Sequence, residues 1–118
     1  MKVINLSETN SVVSNYVAQL RDITVQGNRN LFRANLKRIG MLMAYEISKT
    51  LDYSRKTILT PLSECQVSTY DDRIVIGTVL RAGLAFHEGF MQVFDNAVAG
   101  FVAAYRVEDG NDISIQLD

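Results

Sequence analysis

The feature that most constrains the fold is an apolar run at residues 74–80 that stops abruptly at the sequence Leu-Arg-Ala-Gly, residues 80–83. The run is rich in β-branched residues, as expected of a strand covered on both faces in a parallel sheet. The segment after it has apolar residues on one side of a helix, at Phe86, Phe90, Val93 and Phe94. A second apolar run follows at residues 98–104. The pattern therefore predicts a βαβ unit over residues 73–106, and with it an α/β fold with parallel strands.

The βαβ unit also predicts which residues lie close to each other. Crossovers between parallel strands are right-handed in nearly all cases, which places Leu80 and Ala104 at the same end of the sheet. Ligands of open α/β sheets bind outside the carboxyl ends of the strands. We therefore expect Arg81 and Arg106, which follow these two strand ends, to lie near each other and to form part of a binding site.

The loop between the first strand and the helix has the composition of an anion site. Arg81 carries a planar guanidinium with five donors, which suits phosphate or pyrophosphate better than a lysine does. Gly83 has no Cβ, so the backbone amides of Ala82, Gly83 and Leu84 can converge on one anion at the helix amino terminus. The alternative from these residues alone is a solvated arginine beside a glycine that caps the helix.

The rest of the chain predicts helices and a β-arm around this unit. Apolar spacing predicts a short helix ending near Arg21 or Asp22, and a longer one capped by Asn28. The stripe of the longer helix consists of Phe32, Leu36, Ile39, Met43 and Ile47. We expect one domain with five segments: an arm and short helix over 1–27, a long helix over 28–50, an antiparallel β-arm over 57–69, the βαβ unit over 73–106, and the start of a hairpin over 107–118.

Composition limits the function classes. With 118 residues and 47% apolar residues, we expect a compact chain with a real core. The net charge of −1 gives no reason to expect a nucleic-acid or anionic-membrane partner, and no run is long enough to span a bilayer. The single cysteine, Cys65, cannot form an internal disulfide, so we expect a soluble cytoplasmic protein. One cysteine and one histidine, His87, cannot build a zinc site, and we expect no structural metal.

Two motifs give the chain a family resemblance. The segment Leu-Arg-Ala-Gly-Leu at residues 80–84 and the pair Tyr105-Arg106 resemble those of uracil phosphoribosyltransferase, a pyrimidine salvage enzyme of the type I phosphoribosyltransferase fold. The resemblance implies a partial, Rossmann-like form of that fold. It also implies a pentosyltransferase that joins uracil to phosphoribosyl pyrophosphate with Mg²⁺, giving UMP and pyrophosphate. By this resemblance Arg81, Ala82, Gly83 and Arg106 bind phosphoribosyl pyrophosphate, and no catalytic side chain is identified.

The resemblance covers the amino-terminal half of such enzymes. The family continues with a Thr-Gly-Gly type loop that holds the ribose 5-phosphate and a Gly-Asp-Ala type segment that reads uracil, and neither occurs in these residues. We therefore expect the chain by itself to be incomplete as a catalyst. Two parallel strands would also leave an open sheet edge, which either a partner chain or further sequence would cover. Because the family forms dimers and the 57–69 arm matches a region near a subunit partner, we expect a homodimer or higher homo-oligomer.

Other candidate residues favour structural interpretations. His87 lies one turn inside the predicted helix, where a histidine is more often structural. Asp71 and Asp72 precede a strand, whereas the acids of a ribose-phosphate loop follow one. Arg29, Arg33 and Lys37 lie on one helix face and are interpreted as a solvated basic surface. Two alternatives to an enzyme stay open, namely a module that binds a nucleotide or pyrophosphate without reaction, and a dimerisation module.

Overall fold

Two helices begin the chain, and both start at side-chain caps. The computed structural model describes residues 1–109 and 112–117. Helix α1 (Val12–Arg21) follows Ser11, whose Oγ accepts a hydrogen bond from the Val13 N–H at 3.2 Å. Helix α2 (Arg29–Ser48) follows Asn28, whose Oδ1 accepts from the Leu31 N–H at 3.1 Å. The predicted helix end at Arg21 and the predicted cap at Asn28 are thereby confirmed.

The buried face of α2 differs from the predicted apolar stripe. Its buried residues are Asn35, Ile39, Gly40 and Ala44. Three members of the predicted stripe, Phe32, Met43 and Ile47, are instead exposed. Gly40 is buried because the backbone of Phe86 lies directly against it, where a side chain would have no room. The spacing therefore predicted the helix correctly but only part of its packed face.

The β-arm is an antiparallel hairpin of β1 (Tyr53–Leu59) and β2 (Glu64–Tyr70). Its register runs from Tyr53 opposite Tyr70 to Leu59 opposite Glu64, so both strands extend further toward the arm's base than predicted. The base is held by edge-to-face aromatic contacts, with ring centroids 6.1 Å apart between Tyr53 and Tyr70 and 6.2 Å apart between Tyr70 and Phe94. These contacts fix the direction in which the arm leaves the sheet.

The predicted βαβ unit is present. It consists of β3 (Val75–Leu80), α3 (Leu84–Val93) and β4 (Val98–Asp109), and β3 pairs with β4 in parallel. The register places Leu80 opposite Ala103, so the carboxyl end of β3 lies part-way along β4. Helix α3 ends at Val93 and is followed by its C-cap residue Phe94, which is buried. The mixed α/β architecture with a parallel strand pair is that of the predicted fold class.

The second strand of the unit is longer than predicted. We expected it to end at Ala104, but β4 continues to Asp109 because β5 (Asp112–Leu117) pairs with it antiparallel from Ala104 onward. The hairpin predicted over residues 107–118 is thus present in its two strands, and residues 110–111 between these strands lie outside the described residues. The strand order of this sheet is β3-β4-β5.

The chain is elongated, contrary to the expectation of a compact body. Its radius of gyration is 18.8 Å and its longest dimension is 68 Å, whereas a compact chain of this length has a radius of gyration of about 13.5 Å. The residues that form the buried apolar core among those described are Val13, Ile39, Ala44 and Phe94. Many large apolar side chains on the sheet and the arm stay exposed. Many of the apolar residues, which make up 47% of the chain, therefore lie on surfaces that the described residues do not cover.

Candidate functional site

The candidate site is the loop that joins β3 to α3 at the carboxyl end of the parallel strands. Arg81 and Ala82 form the exposed part of this loop, and the peptide bond between Leu80 and Arg81 is cis. Gly83 is the N-cap residue of α3, directly before Leu84. The loop therefore lies at the end of a strand and the start of a helix, where the predicted anion site was placed.

Gly83 is required by its surroundings, not by an unusual backbone conformation. Its φ of −75° and ψ of −7° are accessible to any residue. A Cβ at this position would, however, lie 2.7 Å from the Val79 carbonyl oxygen and 3.0 Å from Cγ2 of Thr78. The sequence indicated that Gly83 is needed for its backbone freedom, but glycine is needed here because the loop approaches β3 closely.

The loop amides do not converge on one point as expected. The Gly83 N–H donates to the Val79 carbonyl oxygen at 3.0 Å, and the Leu84 N–H donates to the Arg81 carbonyl oxygen at 3.1 Å. Within the described part of the chain, the Ala82 N–H has no internal acceptor. Two of the three expected amides thus form hydrogen bonds within the turn. The donors that the loop leaves for an anion are the Ala82 amide and the Arg81 guanidinium.

A contact between Thr78 of β3 and His87 of α3 joins the two elements that flank the loop. This contact was not predicted from the sequence. The Thr78 Oγ1 and the His87 Nδ1 are 3.0 Å apart, and Thr78 is 7% exposed. The His87 ring also lies against Phe101 of β4, with ring centroids 4.9 Å apart. These contacts support the structural interpretation of His87. The available signal was a lone hydroxyl residue inside an otherwise apolar strand.

Arg106 lies at the same end of the sheet as Arg81 but further along it. Arg81 directly follows Leu80, which is opposite Ala103, so Arg106 is three residues beyond that point within β4. At about 3.3 Å per residue this is an offset of about 10 Å along the strand. Both arginines are exposed, and neither side chain has a hydrogen bond or ion pair within the described residues. The register therefore places the backbone of Arg106 at the same end of the sheet as the Arg81 loop, but offset from it along β4.

The other polar candidates have structural roles. Asp71 accepts hydrogen bonds from Lys56 Nζ and Ser54 Oγ, each at 3.0 Å, and these contacts lower the pKa of its carboxyl, the Lys56 bond most. Asp72 accepts from the Asp52 N–H at 3.1 Å. Both acids therefore fasten the base of the arm and do not face the loop. Arg29, Arg33 and Lys37 line one side of α2, where Arg33 donates to Asn30 at 3.2 Å.

Neither a cluster of three or more acidic, histidine or cysteine metal ligands nor a helix that could span a membrane is found among the described residues. No group of three or more His, Cys, Asp or Glu residues is arranged around a common point among them. None of the helices in the described ranges combines the length and the apolar content that a bilayer crossing needs.

Comparisons with known proteins agree on one family. The family model described as uracil phosphoribosyltransferase matches residues 7–116. The chain is 45% identical over 106 residues to a protein of Porphyromonas gingivalis named uracil phosphoribosyltransferase, and it is 38% identical over 101 residues to a protein of that name from Pyrococcus furiosus. These matches cover 90% and 84% of the chain but 49% and 43% of the relatives. The chain therefore spans about half the length of the curated relatives it matches.

A solved structure has the same fold. The AQ2163 protein from Aquifex aeolicus superposes with a TM-score of 0.71 and 27% sequence identity. The superposition covers 92% of this chain and 51% of that protein. This chain, with its elongated shape and its uncovered sheet, thus corresponds to about half of the larger Aquifex aeolicus protein.

Proposed function

The chain belongs to the uracil phosphoribosyltransferase family, and from that premise we propose that it forms the part of such an enzyme that holds phosphoribosyl pyrophosphate. The complete reaction would transfer the phosphoribosyl group to uracil, giving UMP and pyrophosphate in pyrimidine salvage. The enzyme class would be a pentosyltransferase. The chain spans about half of its relatives' length. We therefore propose uracil recognition and turnover for this chain together with the part of the relatives that it does not match.

The observation that carries the proposal is the unpartnered Arg81 on a rigid loop. Its guanidinium is exposed and has no hydrogen bond or ion pair among residues 1–109. The loop beneath it is fixed by the Gly83 bond to Val79 and by the Thr78–His87 contact. A planar cation held in this way, next to the Ala82 amide, suits two oxygens of a pyrophosphate. Arg106 is proposed to bind the same substrate from β4.

The proposed chemistry is electrostatic. Negative charge grows on the departing pyrophosphate while the sugar carbon becomes cationic, and no nucleophilic side chain is required. A preorganised guanidinium and amide stabilise that charge without having to reorganise during the reaction. The C1–oxygen bond to pyrophosphate breaks, a bond from C1 to a uracil nitrogen forms, and the proton on that nitrogen passes to solvent.

Mg²⁺ is proposed as a companion of the substrate. Mg²⁺ in nucleotide enzymes is usually held by one or two carboxylates together with substrate phosphates. Residues 80–84 carry no carboxylate, and the described residues contain no cluster of metal ligands. These residues do not fit a resident ion, so the proposed role of the loop is to bind the pyrophosphate directly.

We also propose a homodimer or higher homo-oligomer and a cytoplasmic location. The arm projects from the sheet with Leu59 82% exposed and Leu62 96% exposed at its tip, which supports a role in subunit contact. The exposed thiol of Cys65 is compatible with a reducing compartment. A second candidate function is a module that binds pyrophosphate or a nucleotide without turnover, because the donors at the loop, the Arg81 guanidinium and the Ala82 amide, account for binding alone.

Calorimetry on four chains tests the proposal. We expect phosphoribosyl pyrophosphate to bind the unchanged chain and to bind Arg81→Ala at least about tenfold more weakly, because a charge-assisted bond contributes about 1.5–3 kcal/mol. Arg81→Lys should bind with intermediate affinity, since lysine keeps the charge but loses the planar fork. Arg73→Ala is the matched control, because Arg73 precedes the opposite end of β3.

The outcomes separate the candidate functions. Binding together with UMP formation from uracil supports the enzyme, whereas binding without product supports the module. Equal affinity for Arg81→Ala and Arg73→Ala would remove Arg81 from the site. An absence of any binding would count against both functions.

A further inference from the structure

Thr78 is the hydroxyl residue of an otherwise apolar strand, β3. It is 7% exposed, and a buried hydroxyl is costly unless it forms a hydrogen bond. Its Oγ1 lies 3.0 Å from the His87 Nδ1 of α3. Valine has nearly the same shape and no hydroxyl, so packing alone does not require threonine here. The hydrogen bond to His87 therefore accounts for a threonine at this position.

The same Thr78 side chain also lies against the loop. A Cβ on Gly83 would be 3.0 Å from the Thr78 Cγ2, so this methyl group packs under Gly83. Oγ1 and Cγ2 are both attached to the Cβ of Thr78, and a β-branched side chain is stiff about χ1. The bond to His87 and the contact with Gly83 are therefore coupled through a single torsion angle.

The His87 side chain is itself held in place by the sheet. Its ring centroid lies 4.9 Å from that of Phe101, and Phe101 is directly opposite Thr78 in the parallel register. The His87 N–H donates to the Gly83 carbonyl oxygen at 2.9 Å, so the backbone of His87 also belongs to the first turn of α3. The Thr78–His87 bond thus joins the two ends of the loop that carries Arg81.

We infer that Thr78 and His87 are positioning residues for the loop that carries Arg81. Their hydrogen bond fixes the position of the Ala82 amide and of the guanidinium, and thereby sets the affinity of the loop for a pyrophosphate group. Neither Thr78 nor His87 touches the substrate in this inference. It rests on the proposed function, and it adds to that function two residues that determine how well the loop binds.

A double-mutant cycle, measured by calorimetry with phosphoribosyl pyrophosphate, tests the bond. Thr78→Val keeps the methyl group under Gly83 and removes the hydroxyl, and His87→Phe keeps a ring against Phe101 and removes Nδ1. We expect each variant to raise the Kd about fivefold, which is a typical net effect of one hydrogen bond. The double variant should also raise the Kd about fivefold, because both changes remove the same bond.

A matched control and a rescue variant separate positioning from a general effect on the fold. Thr69→Val makes the same substitution in β2, where the Thr69 Oγ1 is buried without a hydrogen-bond partner among the described residues, and it should leave the Kd unchanged. His87→Asn places a polar atom at the Nδ1 position and should bind within about twofold of the unchanged chain. His87→Gln places its amide further out and should resemble His87→Phe. Circular dichroism checks that each variant is folded at the temperature of the titration.

Hydrogen exchange at Gly83 gives a readout that needs no substrate. The Gly83 N–H donates to the Val79 carbonyl oxygen at 3.0 Å. We expect its exchange with solvent, followed by NMR, to become about fivefold faster in Thr78→Val and in His87→Phe, because the loop opens more often without the bond. Thr69→Val should leave this exchange rate unchanged.

Three results would overturn the inference. They are an equal Kd and an equal Gly83 exchange rate in Thr78→Val and Thr69→Val, effects of the two single changes that multiply in the double variant, and an equal Kd for His87→Asn and His87→Phe. Failure of the unchanged chain to bind phosphoribosyl pyrophosphate counts instead against the proposed function. The exchange rate of the Gly83 N–H then decides by itself whether the Thr78–His87 bond positions the loop.

Discussion

Gly40 of α2 and Gly89 of α3 lie against each other where the two helices cross. A Cβ on Gly89 would be 3.1 Å from the Gly40 Cα and 2.9 Å from the Met41 backbone nitrogen, and it would also strike the Lys37 carbonyl oxygen. A Cβ on Gly40 would lie 2.9 Å from the Phe86 carbonyl oxygen. All of these atoms belong to backbone, so a side chain cannot be accommodated by rotating a neighbour. The crossing holds α3, and with it the Arg81 loop, against α2.

Gly89→Ala should therefore destabilise the fold although alanine is the better helix former. Overpacking typically costs about 1–3 kcal/mol, which exceeds the gain in helix propensity of roughly 0.8–1.0 kcal/mol. We expect a net loss of about 1–2 kcal/mol in the free energy of unfolding, measured by urea denaturation followed by circular dichroism. Gly100→Ala is the control, because nothing lies within 4 Å of its Cβ position. An equal urea midpoint for the two variants would show that the helices can move apart without a loss in the free energy of unfolding.

The Asp71 carboxyl should titrate below the ordinary aspartate pKa of about 3.9. Its pKa is lowered by the hydrogen bonds from Lys56 and Ser54 and by the charge of Lys56. Because the folded pKa is the lower one, the stabilisation of the arm's base is present above the unfolded value and is lost as the pH falls through the folded value. Carbon NMR of the side-chain carboxyl measures this pKa directly.

The Lys56→Met variant identifies the cause of the Asp71 shift. We expect the Asp71 pKa to rise toward the ordinary value in this variant, since its largest cause is removed. Lys49→Met is the control, because Lys49 pairs with Glu46 at 3.0 Å on α2 and not with the arm. If neither variant changes the Asp71 pKa, the bond between Lys56 and the Asp71 carboxylate is not formed when the protein is in solution.

The βαβ unit could be predicted from the sequence because a buried strand and an amphipathic helix each have a local apolar pattern. The contact between Thr78 and His87 could not, since it joins two elements whose relative position depends on packing. The end of β4 was placed too early for a related reason: residues 105–109 continue the strand by pairing with β5, a partner that the local apolar pattern does not show. The role of Gly83 was predicted in part, because sequence shows that a glycine is present but not that Val79 lies against it.

Gly83→Ala should weaken binding at the proposed site without removing any donor. A Cβ would force the loop away from the Val79 carbonyl oxygen, which lies 2.7 Å from its position, and would displace the Ala82 amide and Arg81. We expect the Kd for phosphoribosyl pyrophosphate to rise about tenfold in calorimetry, corresponding to about 1.4 kcal/mol. Gly27→Ala is a control on a turn with open space around it. Unchanged affinity in Gly83→Ala would mean that the loop geometry does not govern binding.

Leu62 at the tip of the arm should contribute to the proposed subunit contact. It is 96% exposed, and burying a leucine side chain stabilises a contact by about 1.5–3 kcal/mol. Replacing it with a charged residue removes that gain and adds a desolvation penalty, so Leu62→Glu should raise the dimer dissociation constant at least about tenfold, as measured by sedimentation equilibrium at several concentrations. Ile23→Glu is the matched control, because Ile23 is 83% exposed in the turn between α1 and α2, away from the arm. If the two variants change self-association equally, or the unchanged chain is monomeric at every concentration, the arm tip does not form the subunit contact.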